Sequence, residues 1–224
     1  EDFTSYVNVR IGSGGHGHVF VGASVPFGAV QLGPTSIPQS WDWCSGYHSS
    51  DSTVIGFSHT HLSGTGIGDL FDITLMPVVG AVRYSRGEEP KDSTPEAIAA
   101  AQATGMWSYA DRTREVARPG YYSVPLTRYG ITAEMTATTR VGLSRYTFPA
   151  SDSSAVVIDL ENGGCWDRAY DTKFTVVDSC TIEGYRFSTG WAKDQKIYFR
   201  AQFSKPFDSF DEVAVKEYAV EGQE

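Results

Sequence analysis

The chain has no basic cluster, no long apolar run and very little cysteine, and each gap removes a class of function. Its formal net charge is −9 over 224 residues. Nonspecific nucleic-acid binding needs a cationic face that displaces counterions from phosphates, and no lysine or arginine cluster supplies one. No stretch approaches the ~18 consecutive apolar residues of a membrane span. No charged-then-apolar leader follows Glu1, although such a segment is removed on export. The three cysteines, Cys44, Cys165 and Cys180, lack the C-x2-C spacing of a metal site. They allow at most one disulfide, with Cys165 and Cys180 the pair that could form it. Two catalytic signatures are missing as well. "GSGGHG" is not a phosphate-binding P-loop and no helix follows it, and "GFSHT" has Thr60 where a nucleophile elbow needs glycine.

Aromatic residues, by contrast, are plentiful at 13%. They suit a β-rich core and also the stacking of flat rings on sugars. The clearest periodicity is two. In "ITAEMTAT" Ile131, Ala133, Met135 and Ala137 alternate with polar residues, and in "KIYFRAQFS" Ile197, Phe199, Ala201 and Phe203 do the same. Successive strand side chains point to opposite faces, so both segments read as half-buried strands. "SAVVIDL" and "DITLMPVVGAVRY" are further candidates, the second interrupted by Pro77 and Gly80. Turn residues punctuate these runs as in an antiparallel sandwich. One segment differs: "TPEAIAAAQATGMW" offers Thr94 as N-cap, Pro95 at the first helical position and Gly105 as a stop. The fold class is therefore all-β, an antiparallel sandwich with one short helical insertion around 95–105.

Polar, flexible residues gather in "IGSGGHGHVF" and "GFSHTHLSGTGIGDLFD". Each holds a His-x-His pair, His16/His18 and His59/His61. On a strand, residues two apart share a face, so each pair could present two imidazoles to one metal or ligand, with Asp69 and Asp72 nearby. Hydrogen bonding between loops beside a polar cleft is the favoured reading, because no full metal signature is present. Gly12, Gly14, Gly15 and Gly17 permit close backbone approach. "SWDWCSGYH" sets Trp41 and Trp43 around Asp42; if extended, the two indoles share a face and form a sugar platform, and a core-capping role is equally open. Trp107, Trp166 and Trp191 read as structural. Glycoside hydrolysis needs two carboxyls, but nothing singles out a pair among Asp42, Asp51, Asp69 and Asp72.

"YVNVRIGSGGHGHVFVGASVPFGAVQLGP", "WDWCSGYH" and "GFSHTHLSGTGIGDLFDITLMP" closely resemble the N-terminal domain of glycoside hydrolase family 92. "EVARPGYYSVPL", "GITAEMTATTRVGLSRYTFP" and "YFRAQFSKPF" extend the likeness along nearly the whole chain. The resemblance implies a large, supersandwich-like N-terminal domain of a secreted, calcium-dependent exo-α-mannosidase of α-1,2 type that inverts the anomeric carbon. The enzyme would act on mannose-rich glycans outside the cytoplasm: secreted, periplasmic or on the cell surface, its signal peptide trimmed. It also implies that acid, base and most calcium ligands lie on an (α/α)6-barrel domain, the chain's expected partner, which residues 1–224 do not include. The acidic end, "DEVAVKEYAVEGQE", accordingly reads as a cut through a longer protein. No catalytic residue and no metal ligand is then expected here. Trp41 becomes the leading substrate contact, with Asp42 and Cys44 beside it and Gly15, His16, His18, His59 and His61 on the loops around it. Trp43 and Phe71 stand where the resemblance leads one to expect glycine, and the indole of Trp43 is expected to reshape the leaving-group subsite. Two other classes remain open: a noncatalytic carbohydrate-binding sandwich using Trp41 and Trp43, and a cupin-like metalloenzyme using the two His-x-His pairs.

Overall fold

A computed structural model describes residues 2–213; the last part of the acidic end lies outside them. In chain order the strands are β1 (Ala23–Ser24), β2 (Gln31–Thr35), β3 (Thr53–Val54), β4 (Gly56–Ser58) and β5 (Thr74–Val79). Then follow helix α1 (Pro95–Thr104), β6 (Ser108–Tyr109), β7 (Val116–Arg118), β8 (Tyr121–Leu126), β9 (Ile131–Ala137) and β10 (Gly142–Thr147). The last are β11 (Ser154–Asp159), β12 (Arg168–Asp178), β13 (Thr181–Thr189) and β14 (Gln195–Gln202). They form a five-stranded sheet in the order β1-β2-β4-β5-β11, a four-stranded sheet β10-β9-β8-β7, a three-stranded sheet β12-β13-β14 and the short pair β3-β6. All of the pairings are antiparallel.

The first two sheets face each other as the expected sandwich. Leu32, Phe57, Met76 and Val78 from one meet Tyr122, Val124, Ile131, Ala133 and Met135 from the other in one apolar cluster. Each of the Leu, Ile, Val, Phe and Met side chains taken wholly from water contributes about 1.5–3 kcal/mol. The alternation in β9 is realised as read, with Ile131, Ala133, Met135 and Ala137 buried. That in β14 is weaker, half-buried against exposed, because this strand belongs to the third sheet. Pro77 sits inside β5 without penalty. β4 pairs with β5 only at Phe57 and Leu75, so at Pro77 only β11 remains alongside.

Helix α1 starts as its caps dictate. Thr94 Oγ1 accepts from the Ala97 N–H at 3.3 Å, with Pro95 next in line. Gly105 ends it in an extended conformation, not a left-handed one. Glycine is needed there for proximity: a Cβ would lie 2.6 Å from Gly87 Cα.

The third sheet is tied to the sandwich by charge. Arg186, in the middle of β13, is wholly buried. Its Nη1 donates to Asp72 Oδ1 at 2.6 Å, its Nη2 to Asp167, and its Nε to the Leu160 carbonyl at 2.9 Å. Gln195 adds donors to both Asp72 oxygens at 3.0 and 2.8 Å. Removing one partner of such a buried set leaves a bare charge in the interior. Arg186→Ala is expected to lower unfolding stability by about 3–5 kcal/mol in urea titration. Arg200→Ala, which breaks an exposed ion pair with Glu183, should cost less than about 1 kcal/mol; equal effects would contradict this account.

Candidate functional site

The N-terminal glycine loop closes on itself. Val19 N–H donates to the Gly12 carbonyl at 3.2 Å, and Gly17 N–H to that of Gly14 at 3.2 Å. A Cβ on Gly17 would stand 1.9 Å from the Gly12 oxygen, so only glycine fits. The loop is anchored by Arg10, which donates to the buried Glu115 carboxylate at 3.1 Å. Gly15 takes a left-handed φ of 57°, and its carbonyl accepts from His48 Nε2 at 3.2 Å. On this loop, not on a strand, His16 and His18 both reach one group. The oxygen Oδ1 of Asp42 lies 2.7 Å from His16 Nδ1 and 3.3 Å from His18 Nε2. The His16 imidazole holds the Asp42 carboxyl below its usual range, with His18 adding to the effect.

Asp42 sits in a 3-10 turn, Trp41–Trp43, and the extended geometry that would align the two indoles is absent. The turn sends them to different places. Trp41 remains 56% exposed, donates Nε1–H to the Gly66 carbonyl at 2.8 Å, and meets His18 edge-on with ring centres 4.1 Å apart. Trp43 stacks on His48 at 4.3 Å and donates to Asp51 at 2.7 Å. The shared platform therefore does not form, and Trp43 packs against the His48–Asp51 segment.

The second tryptophan of the site is Trp166. A cleft is lined by Trp41 and Trp166 together with Pro38, Gln39, Ser40, Cys44, Gly68 and Cys165. Of the three tryptophans read as structural, only Trp107 is buried; Trp166 is 55% and Trp191 60% exposed. Cys165 packs against Gly68, where a Cβ would be 2.4 Å from its Sγ. All three cysteines are free, so the Cys165–Cys180 pairing does not form. Burial, and then the neighbouring Cys165 thiol, push the Cys44 thiol up to about 11. Burial raises Cys165 too. Both thiols are therefore protonated wall atoms and poor nucleophiles at neutral pH. Among the described residues lining the cleft there is no carboxylate.

His59 and His61 follow β4 and have other partners. His59 Nδ1 donates to the Ile73 carbonyl at 2.7 Å. His61 Nδ1 donates to the Gln31 carbonyl at 2.8 Å, which fixes the proton there and makes Nε2 an acceptor. From Nε2 a chain of hydroxyls runs through Thr35 (3.2 Å), Ser58 (2.8 Å) and Thr74 (2.7 Å) to the Phe71 carbonyl (3.0 Å). Three hydroxyl protons serve four links. A proton on Nε2 would complete them, but one hydrogen bond is worth about 1 kcal/mol and a buried cation costs several. Burial wins, and the His61 pKa falls from 6.5 to about 4. The two His-x-His pairs thus serve different partners. Among the described residues no group of three or more His, Cys, Asp or Glu gathers as a metal site, so one shared cupin-like centre is not what the fold builds.

The loop after His61 is strained and locked. Leu70, Phe71 and Ile73 hold left-handed φ values of 69°, 61° and 52°, each costing on the order of 1–3 kcal/mol. The buried Phe71 ring packs 5.1 Å from His61, and Asp69 and Asp72 hold the ends. Asp69 accepts from Ala192 N–H at 3.1 Å, and Asp72 accepts from Thr60 Oγ1 at 2.6 Å besides Arg186. Both aspartates tie this loop to neighbouring segments.

The sign of the His61 shift gives a pH dependence. Below 6.5 the unfolded chain binds a proton that folded His61 refuses until about pH 4. Stability is then expected to fall by on the order of 3 kcal/mol as pH drops through that window. His61→Gln should flatten the slope in pH-dependent urea melts; an unchanged slope would refute the assignment.

Residues 6–223 match the model of the glycosyl hydrolase family 92 N-terminal domain. A family GH92 α-mannosidase from Bacteroides thetaiotaomicron, BT3965, solved in complex with mannoimidazole, is 38% identical. It superposes with a TM-score of 0.83, covering 93% of this chain and 26% of its own. A second solved structure, the GH92 family glycosyl hydrolase ccman5, is 26% identical with a TM-score of 0.70, covering 89% of this chain and 26% of its own. An uncharacterized secreted glycosidase of Arthroderma benhamiae is 30% identical over 166 residues, which is 71% of this chain and 20% of that protein. The chain spans about a quarter or less of the length of these relatives. It belongs to glycosyl hydrolase family 92, as that family's N-terminal domain.

Proposed function

We propose that this chain forms one half of the active site of an inverting, calcium-dependent exo-α-mannosidase of α-1,2 type that trims terminal mannose from mannose-rich glycans. The observation that carries this reading is the pairing of a half-exposed Trp41 with an Asp42 carboxylate clamped by two imidazoles, at a cleft without carboxylates of its own. The indole face stacks on the apolar face of a pyranose, while ionised Asp42 accepts hydrogen bonds from sugar hydroxyls. Cys44 supplies a neutral wall. His16 and His18 act on the sugar through the carboxylate they orient, whereas His59 and His61 order neighbouring segments through the Ile73 and Gln31 carbonyls.

Inversion requires a protonated acid and a separate base about 6.5–9.5 Å apart. A general acid needs a carboxyl pushed up in pKa, and Asp42 is pushed down. In this reading both catalytic carboxyls, the (α/α)6 barrel that bears them and the calcium site belong to the rest of the protein. Calcium takes six to eight oxygen ligands, most of which the barrel would supply in this reading. The secreted glycosidase among the relatives supports action outside the cytoplasm, and no helix among the described residues is long and apolar enough to cross a membrane.

Two measurements test the proposal. The chain alone is expected to give no turnover of an aryl α-mannoside; turnover that vanishes in Asp42→Asn would overturn the division of labour. In the full-length protein, Asp42→Asn and Trp41→Ala should each lower kcat/KM by about 10–100-fold, the worth of one charged hydrogen bond or one stacked ring. Unchanged kinetics in both would sink the assignment of this cleft to substrate.

A further inference from the structure

The third sheet presents a second surface built from different residues. Its register lays out a grid on one face. Glu183, Tyr185 and Phe187 of β13 stand opposite Thr175, Lys173 and Asp171 of β12. On the other side they stand opposite Arg200, Tyr198 and Lys196 of β14. Alternation sends Arg186 and Ser188 to the opposite, buried face. The grid face is open: Tyr198 is 70% exposed. Tyr185 and Phe187 stack at 4.3 Å, and Tyr198 meets them edge-on at 6.0 and 5.4 Å. Cross-strand ring contacts stabilise a sheet by about 0.2–1 kcal/mol each, which accounts for the pairing but not for a hollow beside it. It is a shallow, open depression lined by Tyr185 and Tyr198, by Lys173, Thr175, Glu183 and Arg200, and by Gly184 and Phe199.

Charge narrows the choice of occupant. Arg200 is paired with Glu183, Lys196 with Asp194 at 2.9 Å, and Asp171 accepts from Tyr185 beside Lys173. On a chain of net charge −9, this face is locally balanced and offers no field to a polyanion or a polycation. The core of a protein interface is depleted of charged residues, whereas here every ring has a charged neighbour in the grid. Aromatic walls rimmed by paired donors and acceptors fit a neutral, hydroxyl-rich ligand. We propose that the outer face of β12–β14 is a second carbohydrate-binding site, separate from the Trp41 cleft. A neutral pyranose would lie against Tyr198 and Tyr185, with Lys173, Glu183 and Arg200 on its hydroxyls. The inference rests on the proposed function only for the choice of mannose as the sugar.

The test is NMR titration of the chain Glu1–Glu224 with α-1,2-mannobiose. The Trp41→Ala chain is expected to retain binding at about millimolar affinity, with shifts centred on β13 and β14. Adding Tyr198→Ala to it should weaken binding by about tenfold or more, and adding Lys173→Ala instead by several-fold. Should Tyr198→Ala fail to fold, the exposed Lys173→Ala carries the test. Absence of binding in Trp41→Ala, or binding that neither further substitution alters, overturns the second site. So does sedimentation showing a dimer that Tyr198→Ala dissociates, because a second copy would then be the occupant. Loss of kinetic effects at Trp41 and Asp42 would instead defeat the cleft assignment and leave this surface standing.

Discussion

The buried guanidinium of Arg186 is the constraint on which the rest of the arrangement depends. A buried ion set is a poor source of net stability compared with apolar packing, but it is intolerant of error. If β13 slipped by one residue, Arg186 would turn to the solvent face and leave Asp72 and Asp167 uncompensated. The charge thus selects one register for the third sheet. It also fixes two distant loops against each other, because Asp72 ends the segment that carries Gly68, and Asp167 follows Cys165 and Trp166 directly. Both contribute to the cleft.

Around that cleft, polarity is sorted by depth. The lining is free of formal charge: two indoles, two protonated thiols, and small or amide side chains. Asp42, next to Trp41, is held ionised by imidazoles. Farther in, His61 is kept neutral by burial, although its hydroxyl chain could use another proton. Similar His-x-His spacings therefore yield opposite electrostatics. One pair stabilises an anion near water, and the other avoids becoming a cation in the interior.

What the sequence made legible was local. The period-two pattern of β9 and the Thr94-Pro95 start of α1 are fixed by neighbours within a few residues, and both appear as read. The glycine expected in place of Phe71 also has a physical echo, since that backbone is left-handed. The site was legible as a neighbourhood but not as a geometry. His16 and His18 do share a partner, yet through a glycine loop and a carboxylate instead of a strand and a metal. The 3-10 turn at Trp41 could not be told from an extended segment, because "SWDW" suits both. The place of Trp166 at the cleft was not legible because it depends on Cys165 meeting Gly68 far away in sequence, and no spacing encodes that. Its one local hint was the preceding Gly163-Gly164, the same glycine company that marks the other cleft segments.

The distance in sequence between Trp41 and Trp166 also sets an order of assembly. As the chain leaves the ribosome, the glycine loop, the Trp41 turn and most strands of both sandwich sheets emerge first and can pair among themselves. The Trp166 wall gains its anchor only when β13 brings Arg186 to Asp72 and Asp167. Until that moment two carboxylates wait without their cation, and the cleft has one side. Within this chain the Trp41–Trp166 cleft is thus completed late, and its completion reports that the third sheet has docked in register.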